Sequence, residues 1–453
     1  MVAAPATAVA GAATTPLRSG RVSDPWPPRL ADALRALRER PVEATEKGFG
    51  PLAAGGRRVT AAGLAAARPA LHAAGLSYPL LTLRQSALAG NIEAMAAYCA
   101  RAGVALAPHG KTAMSPELAA RQLARGAWGI TVATIGQLRT YRAFGFGRLL
   151  LANELVDEAG IAWLAAELAA DPGFTAYCYV DSADGVAILD RVLRARPAGR
   201  PLPVLVEIGH DGGRTGCRTD ADALAVAEAA AASGTLAVAG VAGYEGGLAA
   251  GRPADPLGQV AAFCARLRAL AGRIRPLADP AGEFIVTAGG SAYFDVVTRE
   301  LTAGGTAGLT VILRSGAYLT YDHGYYGTIS PAARGEADAP ALQPALELWA
   351  QVLSRPEPGL ALLAAGRRDA GFDAGLPVPL RAVRRGAEEP LDGEVTALND
   401  QHAYLRLAGP AALAPGDLVC LGISHPCTTL DKWRVIPVVS DDGRIIDAVH
   451  AFF

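Results

Sequence analysis

Lys111 is the residue whose type and position most strongly suggest chemistry in this chain of 453 residues. The chain has only three lysines, Lys47, Lys111 and Lys432, and its other basic residues of the Lys/Arg type are all arginine. Lys111 follows residues 104–108, an apolar run of strand length. A guanidinium does not lose its proton in a protein, whereas a desolvated lysine amine can do so and form a Schiff base with an aldehyde. The alternative is a lysine at a strand end that reaches solvent.

His425 and Cys427 form a second candidate site, in the segment Ser424-His425-Pro426-Cys427. Two residues that are separated by one position on an extended segment point to the same side, as a bidentate metal clip requires. An imidazole together with a thiolate suits zinc, and two ligands leave coordination positions open for water or substrate. The alternative is a buried cysteine beside a histidine whose hydrogen bonds are already satisfied.

The elements that must position Lys111 repeat regularly along the chain. Apolar runs of strand length alternate with Ala/Leu/Arg segments of helical spacing, which predicts a (β/α)8 barrel. A doubly wound open sheet is the competing fold, but it normally carries a glycine-rich fingerprint after its first strand, and here that place holds Pro108-His109-Gly110-Lys111. The eight predicted strands are residues 104–108, 129–134, 148–153, 175–180, 203–208, 237–244, 283–289 and 309–316.

Barrel enzymes place their active sites at the C-terminal ends of the strands, and a phosphate site is common after the seventh strand. Gly289, Gly290 and Ser291 stand at that position and could offer N–H groups and a hydroxyl to a phosphate. Together with a strand-end lysine they suggest pyridoxal phosphate, with Lys111 for the aldehyde. Tyr244 could flank the cofactor ring, and so could Tyr318, although ordinary aromatic packing is the alternative for both.

The remaining segments predict three regions. Residues 1–75 are an N-terminal extension, partly disordered, in which Leu30, Leu34 and Leu37 indicate a helix over 29–40. Residues 76–330 are the barrel, with a leading strand at 78–83 that could join the next region. Residues 331–453 are a mainly antiparallel β domain that carries the metal motif. Its predicted strands are 359–365, 377–383, 394–397, 403–407, 417–423, 433–439 and 444–452.

Composition excludes several classes of function. The net charge is −1 without a basic stripe, which argues against nucleic acid as a partner. No run of 18 strongly apolar residues is present, which argues against a membrane span. Six scattered cysteines do not form a disulfide framework. We therefore expect a cytoplasmic enzyme.

Over residues 76–453 the chain resembles the D-threonine aldolase / D-serine dehydratase family of fold-type III pyridoxal phosphate enzymes. The resemblance implies an alanine-racemase-like barrel with a β domain, a homodimer, and a divalent metal at the C-terminal motif. The motifs that carry it are Pro108-His109-Gly110-Lys111-Thr112, Gly212-Gly213-Arg214-Thr215-Gly216, Gly243-Tyr244-Glu245-Gly246, Arg314-Ser315-Gly316-Ala317-Tyr318 and Ser424-His425-Pro426-Cys427-Thr428-Thr429.

Two departures from the family pattern matter for function. The expected phosphate loop, which we take to include Thr287, reads Thr287-Ala288-Gly289-Gly290-Ser291, where relatives more often show Gly-Ser followed by Thr-Pro. Cys427 resembles the dehydratases, because the aldolases typically carry Asp there. This difference favours zinc and β-elimination, with Mn²⁺ as the alternative metal.

The resemblance implies a dehydratase that converts a β-hydroxy D-amino acid, such as D-serine or D-threonine, into a 2-oxo acid and ammonia. Lys111 would hold the cofactor and take the Cα proton, and His425 and Cys427 would hold the metal beside the β-hydroxyl. Retro-aldol cleavage to glycine and an aldehyde is the alternative. A racemase, which needs no metal clip, and a non-catalytic pyridoxal phosphate-binding protein are further alternatives.

Overall fold

The fold is that of a computed structural model, which describes residues 26–249, 254–280, 282–409 and 413–453. The start of the chain that the sequence predicts to be flexible lies outside these ranges up to residue 25. Within them, no helix combines the length and apolar character that a membrane crossing needs. All six cysteines are free thiols, as their scattered positions predicted.

Residues 26–84 contain three α-helices and one strand. The predicted helix over 29–40 is confirmed, and its Leu30 is buried against the barrel. Phe49 and Leu64 instead pack against the C-terminal sheet, together with Trp349. The elements are α1 (Pro28–Arg38), α2 (Gly50–Ala53), α3 (Ala61–Ala67) and β1 (Leu80–Arg84).

The central part of the chain forms the predicted barrel. Eight parallel strands form one sheet, in which each strand from the second to the seventh pairs with the next along the chain, and the eighth pairs with the first. A parallel bridge between His109, just after the first strand, and Thr131 of the second closes the ring. The strands are β2 (Ala105–Leu106), β3 (Ile130–Val132), β4 (Arg148–Glu154), β5 (Thr175–Val180), β6 (Leu202–Ile208), β7 (Leu236–Gly243), β8 (Ile285–Ala288) and β9 (Thr310–Leu313).

Helices surround this barrel and begin at capping residues that the sequence supplies. Six of them start behind Ser, Thr or Asp, whose side-chain oxygen accepts an N–H of the first turn. Leu150, Leu205 and Ile285 fill the barrel interior. The helices are α4 (Gln85–Ala102), α5 (Pro116–Leu123), α6 (Ile135–Ala143), α7 (Glu158–Ala170), α8 (Ala183–Ala195), α9 (Asp220–Ser233), α10 (Pro256–Ile274) and α11 (Phe294–Thr302).

The C-terminal part is a mainly antiparallel sheet, in the order β13-β12-β16-β10-β1-β17-β18, with β11, β15 and β14 continuing from β10. The strand β1 lies in this sheet, antiparallel to β10 and parallel to β17. The elements are α12 (Tyr325–Ile329), β10 (Leu346–Glu357), β11 (Leu360–Leu363), β12 (Val378–Arg384), β13 (Ala387–Pro390), β14 (Gly393–Leu398), β15 (Ala403–Leu407), β16 (Leu418–Gly422), α13 (Cys427–Leu430), β17 (Val435–Val439) and β18 (Ile445–His450).

Two of these strands were not predicted. Leu346–Glu357 is rich in Leu, Glu, Ala and Gln, residues that favour helices, and its pairing partners lie far away in the sequence. It is nevertheless a long strand in the middle of the sheet, paired on one side with β1 and on the other with β16. The second, Ala387–Pro390, is a short exposed edge strand whose sequence carries no apolar alternation.

Short 3-10 helices complete the described elements. Hydrogen bonds join the C-terminal sheet to the barrel close to one of these helices, Gly110–Thr112. The Phe452 N–H donates to the Met114 carbonyl at 2.9 Å, and His450 Nδ1 lies 2.8 Å from the Glu117 carboxylate. These contacts join the end of β18 and the residues after it to the loop after β2 and to the first turn of α5. The 3-10 helices are Ala54–Gly56, Leu71–Ala73, Gly110–Thr112, Gly246–Ala249, Arg275–Leu277 and Ala317–Leu319.

Candidate active site

A cavity of about 860 Å³ lies at the C-terminal ends of the barrel strands and is closed on one side by the C-terminal sheet. Its walls come from the loops after the strands and from the segment around α13. Most of the residues that the sequence singled out line it: Lys111, Tyr244, Gly289, Gly290, Ser291, His425 and Cys427.

Lys111 lies in the tight turn Gly110–Thr112 that follows β2. The turn is held against Tyr141, whose hydroxyl donates to the Gly110 carbonyl at 2.9 Å. A Cβ on Gly110 would stand 2.7 Å from that hydroxyl oxygen, so glycine allows the close packing. Burial lowers the pKa of Lys111, the Cys427 thiol opposes this shift, and the guanidinium groups of Arg214 and Arg314 add to it. The amine is therefore more easily deprotonated than an ordinary lysine.

His109 also lines the cavity, two residues before Lys111, and was not singled out for chemistry. Burial, followed by the nearby charges of Lys111 and Arg314, holds its pKa well below the usual range, so the imidazole is neutral. Its buried Nδ1 has no hydrogen-bond partner among the described residues. It can therefore exchange a proton with a ligand in the cavity.

Glu245 binds the backbone amides of Gly289 and Gly290, which were expected to bind a phosphate. The N–H groups of Gly289 and Gly290 donate to its two carboxylate oxygens at 2.9 and 2.6 Å. Glu245 is fully buried, and its partners lie 44 and 45 residues later in the chain. Ser291 accepts a hydrogen bond from the Ala317 N–H at 3.1 Å, which leaves its own hydroxyl hydrogen for a ligand. The hydroxyl, and not the two glycine amides, is thus the available donor of this loop.

Two of the predicted cofactor residues, Thr287 and Tyr318, do not line this cavity. Thr287 is fully buried between strands, where its hydroxyl donates to the Ile312 carbonyl at 2.8 Å. Tyr318 is buried, and its hydroxyl donates to Gln122 Oε1 of α5 at 2.8 Å. Tyr244, in contrast, lines the cavity and is 36% exposed.

Two arginines contribute positive charge to the same cavity. Arg314 is buried and donates to Thr287 Oγ1 and to the Gly243 carbonyl, both at 2.7 Å. Arg214 lies 4.3 Å from the ring centre of Tyr244. Guanidinium groups bind phosphate and carboxylate strongly, so both side chains suit an anionic ligand. Both stand in motifs that carry the family resemblance, which was the only sequence signal for them.

Three carboxylates meet near the C-terminal ends of β4, β5 and β6, and one of them, Glu207, lines the cavity. Ligand atoms of Glu154, Asp181 and Glu207 lie within 4.8 Å of one another. Burial, and then the charge of Glu207, raises the pKa of Glu154 to about 9. Close carboxylates cannot all ionise, so the group retains a proton at neutral pH.

The metal motif differs from its expected geometry. We predicted an extended segment, but Pro426 has helical backbone angles (φ −59°, ψ −42°) and Cys427 begins α13. The turn still brings the two side chains together, since a hydrogen bond with Cys427 is the largest cause that raises the pKa of His425 to about 9. The Cys427 thiol also donates to Thr112 Oγ1 at 3.4 Å, beside Lys111.

These residues fit both expected groups. The orphaned buried atoms His109 Nδ1, Tyr179 Oη and Glu207 Oε2 surround a space that a polar aromatic ligand could fill, next to the desolvated amine of Lys111. His425 and Cys427 supply a nitrogen and a sulfur donor, which is the ligand chemistry of zinc.

Comparisons with known proteins agree with this arrangement. The model of the alanine racemase N-terminal domain matches residues 83–294, and that of the putative serine dehydratase domain matches residues 345–439. A D-threonine aldolase of Arthrobacter sp is 31% identical over 379 residues, which are 83% of this chain and 92% of the relative. A 3-hydroxy-D-aspartate aldolase of Paracoccus denitrificans is 30% identical over 317 residues, 69% of this chain and 77% of the relative.

Solved structures show the same fold. The D-threonine aldolase from Filomicrobium marinum superposes with a TM-score of 0.70 and 26% identity, covering 83% of this chain and 95% of that one. The D-threo-3-hydroxyaspartate dehydratase from Delftia sp. HT23 gives a TM-score of 0.64 with 23% identity, covering 83% and 98%. At that identity the second comparison supports the fold alone.

Proposed function

The chain belongs to the D-threonine aldolase / D-serine dehydratase family of pyridoxal phosphate enzymes, and from this premise we propose that it is a metal-dependent dehydratase of β-hydroxy D-amino acids. The substrates would be of the D-serine or D-threonine type, and the products a 2-oxo acid and ammonia. The relatives are lyases that act, by their names, on D-threonine and on 3-hydroxy-D-aspartate.

The observation that carries the proposal is the contact between the two motifs. The 3.4 Å hydrogen bond from Cys427 Sγ to Thr112 Oγ1 joins the metal motif to the residue after Lys111. This contact supports a metal centre close to the amine of Lys111, which His425 and Cys427 would hold. When bound, the metal would supply Lewis-acid chemistry to an oxygen of the substrate.

The side chains of the cavity have separate roles in the proposed reaction. Pyridoxal phosphate, when bound, withdraws electron density from the Cα of an amino acid. Lys111 holds the cofactor and then takes the Cα proton, for which its lowered pKa suits it. Arg214, Arg314 and the Ser291 hydroxyl bind the anionic parts of cofactor and substrate. His109, neutral and close to Lys111, is available to move a proton to or from the substrate.

The metal, the oligomeric state and the location complete the proposal. Zinc is the preferred metal because imidazole and thiolate donors suit it, with Mn²⁺ as the alternative. A homodimer and a cytoplasmic location are proposed from the family resemblance and the free cysteines.

Retro-aldol cleavage to glycine and an aldehyde is the second candidate. It is favoured by the names of the two relatives that share 31% and 30% identity with the chain, both of which are aldolases. Dehydration is favoured by Cys427, because the aldolases of the family typically carry Asp at this position and the dehydratases carry Cys. Both reactions need a metal at the β-oxygen, so the cavity is compatible with either.

Product analysis with D-threonine, in the presence and absence of a chelator, separates the candidates. We expect 2-oxobutanoate and ammonia, lost on chelation and restored by Zn²⁺, and no product from the Lys111→Ala variant. Glycine and acetaldehyde would establish the aldolase instead. Absence of any product from a panel of β-hydroxy D-amino acids, with cofactor and metal bound, would refute the lyase proposal.

A further inference from the structure

Asp373 contacts both ends of the metal motif. Its Oδ2 lies 2.7 Å from Nδ1 of His425, and its Oδ1 accepts a hydrogen bond from Thr428 Oγ1 at 2.6 Å. Asp373 lies 52 residues before His425, in the loop between β11 and β12, and no motif pointed to it. The two hydrogen bonds fix the orientation of the carboxylate relative to the imidazole ring.

The loop that carries Asp373 is itself locked onto α13. The Gly371 N–H donates to Thr429 Oγ1, and Thr429 Oγ1 donates to the His425 carbonyl, both at 2.9 Å. Trp433, fully buried behind the helix, donates its indole N–H to the Asp369 carbonyl at 2.9 Å. The position of Asp373 is therefore set by a packed network rather than by a free side chain.

We propose that Asp373 is a positioning residue of the metal centre, which accepts the Nδ1 hydrogen of His425 and so presents Nε2 to the metal. The inference rests on the metal site of the proposed function. A carboxylate that binds the second ring nitrogen of a metal-ligating histidine fixes its tautomer and ring orientation and makes it a better ligand. Loss of such a partner typically costs roughly 10–100-fold in metal affinity.

Direct coordination by Asp373 is the competing interpretation. Among the described residues, the only group of three acidic, histidine or cysteine ligand atoms within 4.8 Å of one another is Glu154, Asp181 and Glu207. Asp373, His425 and Cys427 therefore do not converge on one point as three ligands. The Nδ1 contact uses one carboxylate oxygen and Thr428 uses the other, which is the arrangement of a residue that acts through the histidine.

Zinc affinity of the cofactor-loaded protein tests the proposal, measured by competition with a chromophoric chelator. We expect Asp373→Asn and Asp373→Ala to weaken Zn²⁺ binding by about 10–100-fold. Thr428→Val, which removes the bond that orients the carboxylate, should weaken it less, and Asp373→Glu should recover part of the loss. Asp431→Asn is the matched control, because Asp431 lines the same cavity but pairs with Lys432, and it should bind Zn²⁺ as the wild type does.

A second readout separates positioning from folding. Nitrogen-15 spectra of histidine-labelled protein should show His425 with a hydrogen on Nδ1 in the wild type and a change of tautomer balance in Asp373→Ala. The melting temperature of Thr428→Val should stay close to that of the wild type. Unchanged Zn²⁺ affinity in a folded Asp373→Ala variant would overturn the proposal. Zinc binding with aldolase products would refute only the dehydratase, whereas a wild type that binds neither Zn²⁺ nor Mn²⁺ would refute the metal site and this inference together.

Discussion

At the scale of single residues, charge and burial prepare the cavity for amine chemistry. Lys111 is half-buried, and this burial lowers its pKa. The guanidinium groups of Arg214 and Arg314 lower it further. The neutral His109 lines the same cavity without adding charge. A lysine in such surroundings reacts as a free amine at a pH where an exposed lysine is still protonated.

Labelling of the cofactor-free protein with an amine-reactive reagent tests this electrostatic arrangement. The reaction at Lys111 should begin at a lower pH than for an ordinary lysine, because the deprotonated form is favoured. Arg214→Gln should move the pH profile of Lys111 upward, since the Arg214 guanidinium is one of the groups that lower its pKa.

Peptide mass spectrometry resolves the Lys111 peptide from those of Lys47 and Lys432, which normalise the reagent. Arg139→Gln is the control, because Arg139 lies over Trp163 and does not line the cavity. A Lys111 profile that is the same in wild type and Arg214→Gln would refute the role of Arg214.

The proton kept by the barrel carboxylates predicts a pH-dependent stability. Glu154 has an ordinary pKa of 4.5 and a folded value of about 9, so the folded state binds an extra proton between these values. Stability is therefore fully present below the lower value and falls as the pH rises through about 9. We expect Glu154→Gln to flatten this slope and to raise the melting temperature at pH 8 by about 2 °C.

Calorimetric melts at several pH values measure the effect. Glu158→Gln is the control, because Glu158 is exposed and Arg191 lowers its pKa, so that it titrates below this range. Parallel pH profiles of wild type and Glu154→Gln would show that Glu154 does not hold the proton.

At the scale of secondary-structure elements, the barrel depends on close contact between strands β7 and β8. Gly240 in β7 has a φ of +147°, and a Cβ at this position would stand 1.9 Å from the Ile285 carbonyl oxygen. Backbone cannot move aside as a flexible side chain can, so only glycine fits here. The loop that carries Gly289, Gly290 and Ser291 follows β8, one of the two strands that this contact aligns.

Two glycine-to-alanine variants test this contact with opposite expected signs. Gly240→Ala should destabilise the protein by several kcal/mol, on the order of 3 or more, because the barrel must distort to admit the methyl group. Gly90→Ala, exposed within α4 with nothing within 4 Å, should stabilise it by about 0.8–1 kcal/mol. Urea titrations give both values, and destabilisation of equal size in the two variants would contradict the argument.

Sequence periodicity was sufficient for the barrel, since its eight strands follow from local apolar runs that alternate with segments of helical spacing, and the family resemblance was confirmed by the relatives. It was insufficient for β10, whose composition favours a helix and whose strand character comes from β1 and β16 on either side. In the cavity, Lys111 stood out because lysine is rare in this chain. Glu245 and Asp373 did not, because their partners lie 44 and 52 residues away and only the folded chain brings them together.

At the scale of the whole molecule, residues 42–74 pack against the C-terminal sheet, whereas Leu30 of α1 packs against the barrel. Phe49, fully buried, packs in one cluster with Trp349, Cys420 and Val435. These helices cover the face of the sheet that points away from the cavity. They therefore stabilise the wall that carries the metal motif without contacting the site.

Replacement of Phe49 tests whether this cover is structural. Phe49→Ala should lower the free energy of unfolding by about 3–5 kcal/mol, which is usual for a buried phenylalanine. Turnover well below the melting temperature should remain, because Phe49 does not line the cavity. Phe372→Ala, at a residue that is 46% exposed, is the control and should change stability little. Loss of turnover in a folded Phe49→Ala protein would show a functional role instead.

The strand β1 has a consequence for the order in which the molecule is built. A growing chain releases β1 from the ribosome before the barrel, yet its neighbours β10 and β17 follow only afterwards, and Thr82 meets Glu347 across 265 positions. Pairing at such separation is slow, and chains fold from the N-terminal side first during synthesis. We therefore expect the barrel to fold as an insertion within an unfinished sheet, with β1 unpaired until β10 and β17 have been synthesised. On this order, the wall that carries His425 and Cys427 forms last, after the part of the barrel that carries Lys111.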